Sequence, residues 1–350
     1  MQELSLYKKQ FDRKLAAFFN ARLKTYNKLG KGTLVPKFIE QTGVIALAGG
    51  KRFRPYLAAL SHETFGGTSQ VIDDLGMALE LFHLFGLTHD DIVDKGAKRH
   101  GVETVHIYTK NKLQAHRRLG EIEHIGKGQA IFAGDLLFMW SQELFIGSGN
   151  MDPGRMLALD AFRTMMDEVF VGEMVDIDLT TQAKASRADI ERKNILKTAR
   201  YTFVCPIRVG ARLATKNTSV DAFSKKFGEA LGSAYQIQDD VLDILNDSSD
   251  KTSLVDTSGR QHTYLTYYMQ EEAAPKYRKR FNQLFGAPIE TLDANVVKSL
   301  YVESGAVTYA NRIVGAQFKK AHAALKAYPI PKKYISVWET VIDIIENRKS

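Results

Sequence analysis

The chain has 350 residues, of which 44% are hydrophobic and 25% are charged, as in a globular protein with a large core. Its net charge of +8 suits an anionic partner, which could be nucleic acid, an anionic membrane surface or a small anionic substrate. No uncharged apolar stretch is long enough to span a membrane, and Cys205, the single cysteine, excludes an internal disulfide.

Helical periodicity accounts for most of the chain. It covers residues 4–28, 35–48, 55–93, 130–144, 156–179, 188–214, 223–245 and 262 to the C-terminus. Residues 95–128 are the least regular and predict a loop with one poor helix, and residues 248–259 are polar and turn-like. Because strand-like alternation is nearly absent, we predict an all-α fold.

No linker-like stretch or internal repeat divides the chain, so we expect one domain over residues 1–350. A lone cysteine fits a reducing compartment, and the N-terminus carries no signal-peptide pattern. We therefore expect a cytoplasmic protein without stable membrane insertion.

Three aspartates, Asp90, Asp91 and Asp94, end an apolar helical run. At about 3.6 residues per turn, Asp90 and Asp94 lie one above the other. Gly96 indicates that the helix ends nearby, which places these charges at the unfavourable C-terminal end of the helix dipole. Cations must offset this repulsion, and carboxylate ligands favour Mg²⁺ bound together with substrate phosphate.

A second group with the same spacing, Asp239, Asp240 and Asp243, lies in another apolar helical stretch. A single acidic triplet is often only a solvated helix end. Two copies predict clusters that face each other across one cavity and hold metal ions and a polyphosphate between them. Gly228 and Gly232 fall one turn apart in the same stretch, so we expect another backbone to approach closely there.

Basic residues are concentrated in three places. The segment Gly49–Pro55 combines two glycines with three cations, which are costly to hold together without an anion. It could be a surface turn, but a diphosphate site is the sharper interpretation. We interpret Lys110–Arg118 and Lys276–Arg280 as solvated faces, and because no nucleic-acid-binding signature is present we expect no nucleic-acid partner.

With these motifs in this order, the sequence resembles the trans-isoprenyl diphosphate synthases, the polyprenyl synthetase family. The resemblance extends from Gly49 to about Leu265, so the motif-bearing core spans about residues 40–270. Its landmarks besides the two aspartate clusters are Gly49–Pro55, Glu80, His83, Arg99, His124, Gly126, Gly134-Asp135, Lys197-Thr198, Tyr235-Gln236, Lys251 and Gly259-Arg260 to Thr263-Tyr264. Each landmark is weak alone, but the ordered series is a strong signal.

The resemblance implies a single bundle of long helices around a central cavity, usually in a homodimer. It also implies a reaction in which an allylic diphosphate ionises and the allylic cation alkylates isopentenyl diphosphate. About three Mg²⁺ ions would be bound, two by Asp90 and Asp94 and the third by Asp239. Asp91, Asp240 and Asp243 would act less directly.

The family's binding residues transfer to matching positions of this chain. The implied ligands of isopentenyl diphosphate are Gly50, Lys51, Arg54, His83 and His100. Those of the allylic diphosphate are Arg99, Lys197, Lys251 and Arg260. The implied catalytic residues are Lys197, Lys251, Thr198 and Gln236, the last two with oxygens near the developing cation.

The chain departs from the family pattern at three positions. His100 stands where a second arginine is usual, so affinity for isopentenyl diphosphate is expected to be weaker and pH-dependent. Glu173 stands where glutamine is common, a change expected to matter little. Arg260 replaces a frequent lysine, which keeps the charge but changes the geometry.

Product length in this family depends on bulk below the first aspartate cluster. Gly86 is nearly in line with Asp90 and leaves open space, whereas Phe85 and Phe82 lie below it. Core packing alone would also explain both phenylalanines. We predict geranylgeranyl diphosphate as product, with farnesyl diphosphate next and longer polyprenyl products possible.

Three other functions compete with this one. A class I terpene cyclase also uses an acidic cluster with Mg²⁺, but it needs no site such as Lys51, Arg54 and His83 for isopentenyl diphosphate. A non-catalytic subunit of a heteromeric synthase typically loses acidic residues, and here both clusters are intact. A nucleic-acid-binding helical protein is suggested only by the charge.

Overall fold

A computed structural model of the chain describes residues 2–147, 151–245 and 254–348. The all-α prediction is confirmed, with long helices along most of the described chain. The chain is divided into two compact units, one of Met1–Glu63 with Thr68–Met156 and one of Thr64–Gly67 with Leu157–Ser350. No helix in the described ranges is long and apolar enough to cross a membrane.

The elements up to residue 147 are α1 (Gln2–Leu29), α2 (Val35–Ala48), α3 (Phe53–Thr64), α4 (Val71–Val93), β1 (Lys98–Arg99), β2 (Val102–Glu103), α5 (Val105–Ala115) and α6 (Ile122–Ile146). From residue 153 they are α7 (Pro153–Thr180), α8 (Arg187–Asn194), a π-helix (Ile195–Val204), α9 (Cys205–Thr215), α10 (Asp221–Leu245), α11 (Val255–Ser258), α12 (Tyr264–Tyr267), a short π-helix (Tyr268–Glu272), α13 (Pro275–Leu284), a 3₁₀ turn (Ile289–Thr291), α14 (Ala294–Glu303), α15 (Ala306–Ala327) and α16 (Lys332–Glu346).

The irregular stretch 95–128 contains more structure than the sequence predicts. A β-hairpin pairs Lys98 with Glu103, and its turn residues His100 and Gly101 both have positive φ, 52° and 81°. Such a turn matches the twist of the strands, but it is typical of Asn-Gly rather than His-Gly sequences. The one poor helix is α5, whereas α6 begins at Ile122, earlier than its weak local pattern indicates.

In the first unit, α4 and α6 pack side by side and run antiparallel. The Ser141 hydroxyl donates to the Ala78 carbonyl at 2.7 Å, and eleven residues along α4 the His89 ring lies 3.2 Å from the Ile131 carbonyl. A Cβ at Gly134 would lie 2.5 Å from this ring, so the glycine admits His89. The helix that ends in the first aspartate cluster is thereby fixed against the middle of α6.

In the second unit, α10 packs against the π-helix through its glycines. A Cβ at Gly228 would lie 2.9 Å from the Val204 backbone nitrogen, and one at Gly232 would collide with the backbone of Ala199. The predicted close approach of another backbone at these glycines is confirmed. It brings the π-helix, which carries Lys197 and Thr198, against the helix of the second aspartate cluster.

Candidate active site

The first aspartate cluster lies where α4 ends, at Val93 with Asp94 as the C-cap. Asp91 is only 3% exposed, and its carboxylate accepts two hydrogen bonds from the Arg99 guanidinium, at 2.5 and 3.1 Å. Burial raises the pKa of Asp91, and Arg99 opposes this rise. Asp90 is half-buried and Asp94 exposed, so these two carboxylates are the more accessible to an ion.

The glycine segment 49–55 contacts the hairpin turn in the same unit. A Cβ at Gly49 would collide with the His100 ring, and Gly50 has a φ of 97°, which favours glycine. Lys51 is exposed and Arg54 half-buried. The loop and His100 are thus brought together, as the resemblance implies.

One of the three cations in this segment has a structural role. Arg52 is 3% exposed, and its guanidinium donates to the Asp12 carboxylate at 2.7 Å and to the buried Glu80 carboxylate at 2.6 Å. The sequence argument that all three cations require an external anion is therefore wrong for Arg52. Lys51 and Arg54 remain the candidates for binding one.

Two histidines of the predicted isopentenyl diphosphate site lie in positive surroundings. Burial, followed by the charges of Arg54 and Arg99, holds the pKa of His83 well below its usual range. Burial, followed by Arg99, also lowers the pKa of His100. Both imidazoles are therefore neutral near pH 7, and an anion among these residues would find cations as well as ring donors.

Below the aspartates, the residues predicted to limit product length form an aromatic cluster. Phe85 packs on Phe82 and Phe138, with ring centroids 5.4 and 5.2 Å away. Phe138 was missed, because an aromatic residue on α6 has no local signal that links it to α4. No atom lies within 4 Å of a Cβ built on Gly86, so the open space predicted there is confirmed.

The second aspartate cluster, on α10, is connected to the π-helix by a hydrogen-bonded chain. The Thr198 hydroxyl donates to Gln236 Oε1 at 2.7 Å, and the Gln236 amide donates to the Asp240 carboxylate at 2.8 Å. Asp240 is buried; this burial, with a smaller contribution from the charge of Asp256, raises its pKa to about 8. The structure thus joins three residues that the resemblance assigned to one site.

The other two aspartates of this cluster differ in environment. Asp243 reaches solvent, yet the surrounding protein and the charges of Asp239 and Asp256 raise its pKa to about 7. Asp239 lies 3.1 Å from the guanidinium of Arg348, which stacks 3.9 Å over the Tyr235 ring. Sequence reasoning missed Asp256 and Arg348, since neither belongs to a spaced motif.

Lys197 is held between two acidic side chains of α7. Its ammonium lies 2.7 Å from Glu173 and 2.8 Å from Asp176. Asp176 also pairs at 3.0 Å with the buried Lys193, which donates to the His262 carbonyl at 2.8 Å. The prediction that Glu173 matters little is not tested, but Glu173 directly contacts the predicted diphosphate ligand.

Arg260 has structural contacts in this unit. Its guanidinium donates to the carbonyls of Thr180 and Gln182, at 3.2 and 3.1 Å, and lies 5.2 Å over the Phe285 ring. Its assignment to the allylic diphosphate remains a prediction. Lys251, the other predicted ligand, lies outside the described residues.

The carboxylates fit Mg²⁺ that keeps part of its coordination shell for water and phosphate. Within the described residues, no group of three or more His, Cys, Asp or Glu side chains is arranged to hold a metal ion alone. Mg²⁺ commonly binds through one or two carboxylates plus substrate phosphates. Burial, followed by the charges of neighbouring carboxylates, raises the pKa values of Asp240 and Asp243, and a bound cation would favour the ionised form of both.

Comparisons with known proteins agree with this geometry. The family model described as polyprenyl synthetase matches residues 36–303. A short chain isoprenyl diphosphate synthase of Methanothermobacter thermautotrophicus is 28% identical over 271 residues, covering 76% of this chain and 77% of that protein. A geranylgeranyl diphosphate synthase of Sulfolobus acidocaldarius is 30% identical over 243 residues and covers 67% of each.

Solved structures share the fold. The geranylgeranyl pyrophosphate synthase of Corynebacterium glutamicum, crystallised with isoprenyl diphosphate and magnesium, superposes with a TM-score of 0.87 at 24% identity, covering 97% of this chain and 99% of that one. The geranylgeranyl pyrophosphate synthetase of Pyrococcus horikoshii gives a TM-score of 0.74 at 25% identity and covers 98% and 99%.

Proposed function

The chain belongs to the polyprenyl synthetase family and is a prenyltransferase, and we propose that it condenses isopentenyl diphosphate with an allylic diphosphate in trans geometry. The allylic C–O bond breaks and diphosphate leaves with the electron pair. The double bond of isopentenyl diphosphate then forms the new C–C bond, and a proton is lost. The observation that carries this proposal is the pair of intact aspartate clusters.

Residues of the first unit would bind isopentenyl diphosphate. Lys51 and Arg54 supply charge, and Gly50 lets backbone approach the anion. His83 and His100, with lowered pKa values, would donate from neutral rings until the anion favours their protonation. Asp90 and Asp94 are the accessible carboxylates for metal, while Arg99 holds Asp91 in place.

Residues of the second unit would act on the allylic diphosphate. Lys197 binds the leaving group, with Arg260 and Lys251 as further predicted ligands. Because the Thr198 hydroxyl donates its hydrogen bond to Gln236 Oε1, the lone pairs of the hydroxyl oxygen can face a developing cation. Mg²⁺ held by Asp239, Asp240 and Asp243 would stabilise the charge on the departing diphosphate.

We propose geranylgeranyl diphosphate as the product, with farnesyl or a longer polyprenyl diphosphate as the alternative. The open space beside Gly86 supports extension beyond a short chain, and the relative at 30% identity is a geranylgeranyl diphosphate synthase. We also propose that residues 1–350 form one catalytic domain, because the matched range 36–303 includes parts of both units.

We also propose a cytoplasmic homodimer. The lone Cys205 is buried and unpaired, which fits a reducing compartment. On α6, Phe132, Met139 and Ile146 recur every seven residues and are 68, 46 and 51% exposed, a stripe that a second copy would cover.

The test is an assay of the purified chain with Mg²⁺, isopentenyl diphosphate and each allylic primer in turn, with products sized by chromatography. We expect a twenty-carbon diphosphate, no product after chelation of the metal, and a loss of at least about a hundredfold in kcat for Asp90→Asn. Asp74→Asn, an exposed site in the first turn of the same helix, is the control and should retain activity. A folded protein inactive with every primer would instead be a non-catalytic subunit.

A further inference from the structure

The connection between α5 and α6 is a basic loop that no step of the proposed reaction uses. Every residue from 114 to 121 is exposed. At the tip, Leu119 is 91% exposed, a larger fraction than that of any other large apolar side chain in the described ranges. Single exposed leucines are common, so exposure alone carries no conclusion.

The charge around this leucine is predominantly positive. Arg117 and Arg118 precede it directly, and no acidic side chain of the described residues pairs with either of them. Lys112, in the last turn of α5, is half-buried and its ammonium lies 5.1 Å over the Tyr108 ring. The acidic Glu123 on α6 is already engaged by lysines. The exposed Glu121 ends the loop, so the apolar tip has two adjacent arginines on one side and a single acidic residue on the other.

The loop projects beyond the first aspartate cluster. Because α4 and α6 are antiparallel and His89 lies beside Ile131, α6 extends past His89 in the direction in which α4 ends. From Ile131 back to Ile122 this extension is about 14 Å at 1.5 Å per residue. The tip is thus on the side of the first unit where α4 ends, with Asp90 half-buried and Asp94 exposed.

We propose that this loop binds the surface of an anionic lipid membrane, with Leu119 inserted among the lipids and Arg117, Arg118 and Lys112 at the headgroups. The phosphates of a nucleic acid would pair with the cationic side chains but would leave Leu119 in water. An anionic lipid surface would pair with the cations through its headgroups and would also bury the leucine. The contact does not depend on the proposed reaction, although a prenyl product released on this side would reach lipid directly.

Sedimentation of the full chain with lipid vesicles tests the proposal. We expect stronger binding to phosphatidylcholine vesicles containing phosphatidylglycerol than to phosphatidylcholine alone, and release at high salt. Each arginine near such a surface contributes about fivefold, so the Arg117→Gln/Arg118→Gln variant should bind about 25-fold more weakly. The control Lys319→Gln/Lys320→Gln, on the exposed face of α15, should bind as the wild type does.

Tryptophan fluorescence tests whether residue 119 inserts into the lipid. Both natural tryptophans, Trp140 and Trp338, are 0% exposed, so the added indole of a Leu119→Trp variant would report directly on lipid through a blue shift with anionic vesicles. Leu119→Asp should abolish binding, whereas Leu29→Asp, at a leucine 76% exposed on α1, should not.

Two results would overturn the proposal. One is equal binding of wild type and the loop variants to anionic vesicles. The other is tighter binding to RNA or DNA than to vesicles, unaffected by Leu119→Asp, which would make the loop a nucleic-acid contact. All loop variants should retain prenyl transfer with soluble substrates, so a failure here is distinct from a failure of the proposed reaction.

Discussion

His100 occupies the first position of the hairpin turn, with its ring against Gly49. Its lowered pKa leaves the imidazole neutral at neutral pH, whereas the family pattern has a permanent charge there. Arg260 adopts a similar φ of 56° in this chain, so the backbone permits arginine at such a turn. The consequence of the histidine should therefore lie in anion binding and not in folding.

We expect His100→Arg to lower the KM for isopentenyl diphosphate by about three- to tenfold at alkaline pH, because a fixed charge replaces a neutral ring. Since the pKa of His100 is lowered, the wild type gains imidazolium only as pH falls. The difference should therefore shrink at acid pH. Steady-state kinetics from about pH 6 to about pH 9 measure it, with the exposed His322→Arg as control. A ratio independent of pH would contradict the assignment.

Glu173 and Asp176 both hold the Lys197 ammonium. Removing the Glu173 charge should leave Lys197 more available to an anion. We expect Glu173→Gln to lower the KM for the allylic diphosphate about two- to fivefold, because the free energy of a partly exposed ion pair corresponds to a change in affinity of about this size. Glu168→Gln, on the same helix but paired with Arg200, is the matched control and should not change this KM. An unchanged KM for Glu173→Gln would show that the pair does not compete with substrate.

Residues of the candidate site divide into those that spacing reveals and those that it cannot. The repeated aspartate pattern pointed to the clusters that begin at Asp90 and Asp239, because within each cluster the spacing follows the turns of a single helix. By contrast, Arg52 pairs with Asp12, which lies 40 residues away in the sequence. Arg348 pairs with Asp239 of the second cluster, more than a hundred residues away. Such partners depend on tertiary packing and leave no periodic signal in the sequence.

Along α4, the space beside Gly86 lies on the helix that carries the first aspartate cluster. A phenylalanine there would meet no atom near its Cβ and could extend into the path of a growing chain. We expect Gly86→Phe to shorten the product by at least one isoprene unit, and Phe82→Ala or Phe85→Ala to lengthen it. Product chromatography measures this, and no shift in any of the three variants would refute the length argument.

The contact between α10 and the π-helix depends on two glycines. A Cβ at Gly232 would collide with the Ala199 backbone, so Gly232→Ala should destabilise the protein by about 1–3 kcal/mol. Gly315→Ala on α15, where no atom lies within 4 Å, is the control and should stabilise by up to about 1 kcal/mol. Denaturant unfolding compares them. Equal effects of both substitutions would contradict a close helix contact.

Among the elements, periodicity predicted the long helices well, since α1, α4 and α10 each keep an apolar face. It failed where backbone conformation is decided by neighbours. The hairpin depends on positive φ at His100, and the helical pattern over 188–214 divides into α8, a π-helix and α9. The π-helix forms where Gly172 and Gly232 admit its backbone, and no pattern within residues 195–204 encodes that.

For the molecule as a whole, the stripe on α6 is an apolar surface that one chain leaves uncovered. Phe132, Met139 and Ile146 lie on the face of α6 away from its contacts with α4. Such a stripe in water favours association, and a homodimer covers the same patch on both copies.

We expect the wild type to sediment as a dimer at micromolar concentration and Phe132→Asp to weaken the dimer at least about a hundredfold, because each charge would be buried against its symmetry-related copy. Leu6→Asp, at a leucine 60% exposed on α1, places the same charge elsewhere and should leave the dimer intact. Since Phe132 belongs to the helix that fixes His89 and the end of α4, a dimer that depends on α6 would also support the first aspartate cluster. The kcat of Phe132→Asp should then fall with dilution as monomer accumulates, and a kcat independent of concentration would separate assembly from catalysis.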